Sequence, residues 1–213
     1  MSACVRSSVS RVAGVLAVAA LVVGFAGSVQ AHQPAHAPVQ LPPRGTQSVT
    51  LGCAASVLGA TSPGWLSPSN GTLVAGPIAW PVLRRYAASL PAAGLAPHDG
   101  LALPVKALVA VAIGTVVRVS VPTSERTRLS LYYITPDPRN AAGYYRITDG
   151  ERDVTFDACA AGPGVARTTE FAGYFIVAGA QCARIDIFTS TSRQPLRRQI
   201  PFGVSQRSCP ASG

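Results

Sequence analysis

The chain has 213 residues, 48% of them apolar, with 18 basic residues against 9 acidic ones. This composition excludes a wholly disordered chain, which lacks the apolar surface to build a core, and leaves room for one ordinary domain plus a tail. The net charge of +9 rests on arginine, with Lys106 the sole lysine; heavy use of Arg, Ala, Gly, Pro and Val points to a high-GC genome and accounts for the arginines without any ligand.

Residues 1–31 read as a secretory signal. Arg6 and Arg11 precede an apolar run from Val12 to Phe25, and Ala26-Gly27-Ser28-Val29-Gln30-Ala31 ends on the small-x-small pattern that a signal peptidase cuts. Cleavage after Ala31 makes His32 the first mature residue, removes two arginines and leaves a net charge of +7. An uncleaved signal anchor is the alternative, because Val12 to Val29 reaches the lower length limit for spanning a bilayer. Cys4 precedes the apolar run, which argues against a lipoprotein. The expected location is extracytoplasmic: secreted or associated with the cell envelope. A basic exported protein suits an anionic cell-wall polymer or another envelope protein as partner, not nucleic acid, and meets the membrane only through the signal segment if that is kept.

Residues 32–47 hold His32, His36 and four prolines and read as a disordered leader. From residue 48 to about 210, short apolar runs alternate with turn signals. Strands are expected over Ser48–Ala54, Thr72–Val74, Ile78–Val82, Val105–Ala112, Val116–Val121, Arg128–Tyr133, Asp153–Cys159, Phe171–Ala178, Ala183–Thr189 and Arg197–Phe202, with one short helix over Leu83–Ser89 before Pro91. Several strands show period two. Val117, Val119 and Val121 oppose Arg118 and Ser120; Leu129, Leu131 and Tyr133 oppose Ser130 and Tyr132; Val154 and Phe156 oppose Asp153 and Thr155; Ile185 and Ile187 oppose Arg184 and Asp186. The repetition predicts an all-β fold, an antiparallel immunoglobulin-like β-sandwich stapled by disulfides.

Four cysteines remain after the signal, an even number that fits an oxidising compartment and allows three connectivities. The local span of Cys159 to Cys182, around a Gly-Pro-Gly turn, favours that pair, which leaves Cys53–Cys209 to join the start of the domain to its end. No C-x-x-C occurs and no histidine adjoins a cysteine, so a zinc site is not expected.

Two candidate sites stand out. A mature N-terminal His32 could chelate copper through its amine and ring, with His36 or His98 completing the site, as in a secreted copper carrier or copper oxygenase. The second is aromatic. Tyr132, Tyr144 and Tyr145, with Arg139 and Arg146, surround a Pro-rich loop; flat rings beside arginines can stack on sugars or grip a protein. The alternation places Tyr132 outward and exposed, and Tyr133 inward. Neither G-x-S-x-G nor H-E-x-x-H occurs. The sequence thus favours a non-enzymatic binding or structural module with no cofactor. The acidic run Asp149, Glu151, Asp153 and Asp157 is interleaved with Arg152 and reads as a solvated hairpin rather than a calcium site.

Gly76-Pro77 before an aromatic-containing strand, Val154-Thr155-Phe156-Asp157-Ala158-Cys159, Gly173-Tyr174-Phe175-Ile176-Val177, Cys182, and Pro201-Phe202-Gly203 before Cys209 together resemble a group of uncharacterised exported β-domain proteins of high-GC Gram-positive bacteria. The resemblance implies a secreted β-domain and carries over no activity and no functional residue.

Overall fold

The computed structural model describes residues 48–57, 71–133, 143–161 and 167–209. The signal segment, the leader with His32 and His36, Arg139 and the Gly-Pro-Gly turn lie outside the described residues.

Alternation along the chain becomes strands with one wet face. β1 (Ser48–Leu51), β6 (Val116–Ser120), β8 (Asp153–Asp157), β11 (Gln181–Thr189) and β12 (Leu196–Phe202) form a five-stranded sheet in the order β1-β8-β6-β11-β12. Its pairs are antiparallel except β1 with β8, which run parallel with Val49 beside Val154. Val117, Val119, Val154, Phe156, Ala183, Ile185 and Ile187 point inward and are buried, as period two requires.

The remaining strands are β2 (Leu73–Ala75), β3 (Ile78–Trp80), β4 (Leu103–Lys106), β5 (Val109–Ala112), β7 (Leu129–Tyr132), β9 (Thr168–Phe171) and β10 (Tyr174–Val177). They make a four-stranded sheet, β2-β3-β5-β9, and a three-stranded sheet, β4-β10-β7. The expected strands Val105–Ala112 and Phe171–Ala178 are each interrupted, and the two interruptions face each other. Val105 pairs with Phe175 and Val109 with Phe171, so the register continues through the break, where Ala107 N–H donates to Gly173 O at 2.8 Å. Two long antiparallel strands bend together there, and the bend passes them from one sheet to the other. Gly173 permits it, because a Cβ at this position would enter the Tyr133 ring.

The inner faces of all three sheets share one core, centred on Trp80, Tyr133, Phe156, Phe171, Phe175 and Phe202. The helix α1 (Leu83–Ser89) forms where the sequence predicts it and buries Leu83 and Ala87. It stops at Leu90, whose backbone is extended, as expected for a residue before proline.

The disulfides differ from the expectation. Cys53 is bonded to Cys159 and Cys182 to Cys209, not Cys159 to Cys182 and Cys53 to Cys209. The reason is the parallel β1/β8 pair. It brings the C-terminal ends of both strands side by side, and Cys53 and Cys159 each lie two residues beyond, with Cα atoms 4.6 Å apart. Proximity along the chain favours a local bridge, but a parallel neighbour 106 positions away stands closer in space.

Candidate functional site

The tyrosine surface expected from alternation is largely a small core of its own. Tyr132 does project from the outer face of β7, but it is only 5% exposed, and Tyr145 only 3%. The segment after residue 142 lies against this face. Tyr145 forms a two-bond bridge with Ala102, at 2.6 and 3.0 Å, just before β4. Its ring sits 5.4 Å from that of Tyr132, Tyr174 approaches from β10 at 6.5 Å, and Ile176 fills the space between strands. The expectation that Tyr132 is exposed is therefore corrected. Tyr144 is half-buried and Arg146 exposed. Arg146 N–H donates to Asp149 Oδ2 at 2.8 Å, which closes a short 3-10 turn over Ile147–Asp149. The readable sign of this covering was β10: Phe175-Ile176-Val177 is apolar at every position, the mark of a strand buried on both faces.

Beside this aromatic cluster lies a cleft of about 190 Å³. Its walls are Arg126, Ser130, Thr148, Gly150 and Arg152, with Leu129 and Ile147 as apolar floor. Arg126 comes from the turn after β6, Ser130 from β7, and the rest from the segment that leads into β8. Two contacts hold these elements together: Val121 N–H donates to Arg152 O at 2.8 Å, and Glu151 and Leu131 exchange backbone hydrogen bonds of 2.9 and 2.7 Å. Gly150 is required here, since a Cβ would stand 2.5 Å from the Ser130 hydroxyl and the Leu131 carbonyl. Sequence reading missed this cleft, because its residues are spread over three separate chain segments.

The outer face of the five-stranded sheet is polar. Arg118 on β6 meets Asp153 on β8 at 3.5 Å and lies 4.1 Å over the Phe188 ring of β11. Asp186 stands 3.9 Å from both Arg184 and Arg197. Such solvent-facing pairs add little to stability. They place charges of alternating sign side by side on this face.

Among the described residues, two carboxyls are buried. Glu151 is 1% exposed with Oε2 unpartnered, and burial pushes its pKa up to about 7 against the pull of its own backbone hydrogen bond. Burial raises the Glu170 carboxyl as well. His98, the described member of the copper set, is on an exposed turn with Nδ1 3.2 Å from Asp99. Among the described residues, no three His, Cys, Asp or Glu side chains gather as a metal site. Among them also, no helix is long and apolar enough to cross a membrane.

Comparison of the chain with protein-family models, with curated proteins and with solved structures finds no match.

Proposed function

We propose that this chain is an exported, non-enzymatic binding module of the cell envelope, presenting the outer face of its five-stranded sheet to a polymer or protein. The observation that carries the reading is where the disulfides sit. Cys53–Cys159 joins the ends of β1 and β8 at one edge of that sheet, and Cys182–Cys209 ties β11 to the segment after β12 at the other. Disulfides of this kind persist in oxidising compartments, which accords with the signal-like first 31 residues. Disulfides at both edges limit movement of the strands that carry Arg118, Arg184, Arg197, Asp186 and Phe188, so little backbone order is lost when a ligand docks. An immunoglobulin-like layering belongs to the same proposal. It is supported by the register that continues between the two smaller sheets and by the core that they share with the five-stranded one.

The test is recovery. Protein exported by its host is sequenced from its amino terminus, then used to capture envelope material beside an Arg184→Glu/Arg197→Glu variant. A chain starting at His32, or an intact signal anchor in the membrane fraction, together with weaker capture by the variant, is expected. Cytoplasmic protein, or equal capture by both forms, overturns the reading.

A further inference from the structure

The cleft beside the tyrosine cluster has the chemistry of an anion site. Two guanidiniums, Arg126 and Arg152, line it, and among the described residues neither has a carboxylate partner. Arg126 is already oriented: its Nε donates to Val121 O at 3.0 Å, which leaves both terminal nitrogens for a ligand. At the inner wall stands the Ser130 hydroxyl. Ser130 is 3% exposed, and its Oγ has no hydrogen-bond partner. Native proteins rarely leave such a group unsatisfied, and an absent ligand or ion is one recognised cause. Gly150 contributes space, since any side chain there would close over that hydroxyl.

The nearby acids are not paired with Arg126 or Arg152. Asp149 accepts the Arg146 N–H, and Asp153 faces Arg118 on the outer side of the sheet. Glu151 is buried and holds its proton to about pH 7.

We propose that this cleft binds a phosphoryl group carried by a small ester, with Arg126 and Arg152 as charged donors and Ser130 and Thr148 as hydroxyl donors. A carboxylate offers two oxygens in a plane and would leave some of these donors idle, whereas a tetrahedral phosphate presents three oxygens that can use them together. At about 190 Å³ the cleft is smaller than pockets for drug-sized ligands, so it accepts the phosphoryl group and a short attached chain only. The proposal deepens the reading of an envelope-binding module and rests on it only for where the phosphate comes from, a free monoester or the terminal phosphomonoester of an envelope polymer.

Purified full-length protein is titrated with inorganic phosphate, glycerol 3-phosphate and poly(glycerol phosphate) ending in a phosphomonoester, followed by calorimetry and by amide shifts in NMR. Saturable binding of a phosphate probe is expected, with shifts centred on Ser130, Gly150 and Arg152. Arg152→Gln weakens it about tenfold, and Ser130→Ala weakens it without changing the charge. Arg84→Gln/Arg85→Gln, distant in sequence and equal or greater in charge removed, leaves it unchanged. Preference for glycerol 3-phosphate assigns a free monoester, and preference for the polymer assigns an envelope source. Absence of saturation with every probe overturns the proposal, as does equal weakening by the Arg84/Arg85 control, which marks unspecific charge attraction. Arg126→Gln also loses the tether to Val121, so its thermal melt is read beside its affinity. Phosphate binding without capture of envelope material would overturn the functional reading and leave the cleft intact; capture without phosphate binding does the reverse.

Discussion

The indole Nε1 of Trp80 donates to the phenol oxygen of Tyr133 across 3.0 Å in the core, although the two residues are 53 positions apart. Trp80 ends β3 in the four-stranded sheet, and Tyr133 directly follows β7 in the three-stranded one. The Tyr133 ring also meets Phe156 of the five-stranded sheet edge-on, at 5.0 Å between centroids. One side chain thus touches all three sheets, and Gly173 is bare so that the ring fits. Burial holds the Tyr133 phenol far above its ordinary pKa.

Tyr133→Phe keeps the ring and removes the acceptor. The Trp80 N–H is then left buried without a partner, which costs about 1–3 kcal/mol. Trp80→Phe strands the phenol and should cost at least as much, because it also removes volume. The double variant should fall short of the sum of the two, since both singles break one bond. Urea unfolding measures this. Full additivity would show that the bond contributes nothing beyond packing.

The disulfides are expected to contribute unequally. In the chain-entropy model, a closed loop of 106 residues stabilises by nearly 5 kcal/mol and one of 27 by about 3.5 kcal/mol. Cys53→Ala/Cys159→Ala should therefore lower stability more than Cys182→Ala/Cys209→Ala. Non-reducing peptide mapping checks the connectivity itself, and a Cys53–Cys209 peptide would contradict the parallel β1/β8 pairing.

The elements were legible in the sequence to the extent that they depend on local pattern. Inward residues of β6, β8 and β11 followed period two, and α1 lies over Leu83–Ser89, before Pro91, where the sequence placed it. What depended on partners was not legible. Nothing local tells that β1 runs parallel to β8, so the cysteine pairing came out wrong. Nor does alternation say whether an outward face is covered. Tyr132 points outward as expected and is still buried, because Tyr145 packs over it. The cleft lined by Arg126, Ser130 and Arg152 exists only after three chain segments converge, and each of its residues is unremarked in its own neighbourhood.

Val82 should be replaceable with a gain. Its φ is 53°, left-handed backbone that a β-branched residue rarely adopts and that costs roughly 1–2 kcal/mol. Its side chain is 51% exposed, so little packing offsets the strain. Val82→Asn keeps the carbonyl that accepts from Tyr86 N–H at 3.0 Å and suits the conformation better. An increase of about 1 kcal/mol, or roughly 2–4 °C in Tm for a domain of this size, is expected. A lower Tm would show that the Val82 side chain contributes contacts worth more than the strain.

Glu151 should make the fold less stable as pH rises. Burial lifts its folded pKa from 4.5 to about 7. The unfolded chain loses the proton first, so the folded state binds more protons between these two values. Stability then falls with increasing pH across that window, by up to roughly 3 kcal/mol, and levels off above it. Below about pH 4.5 the carboxyl is neutral in both states and costs nothing. Glu170, raised in the same direction, adds a decline of the same sign. Glu151→Gln replaces the carboxyl by a neutral group of the same shape. The variant should match wild type near pH 4.5 and exceed it near pH 8, with a flatter profile between. Chemical denaturation at five or six pH values reads the difference directly. If wild type and Glu151→Gln show parallel profiles from pH 4.5 to 8, the Glu151 carboxyl is ionised in the folded protein and its burial is compensated by a partner.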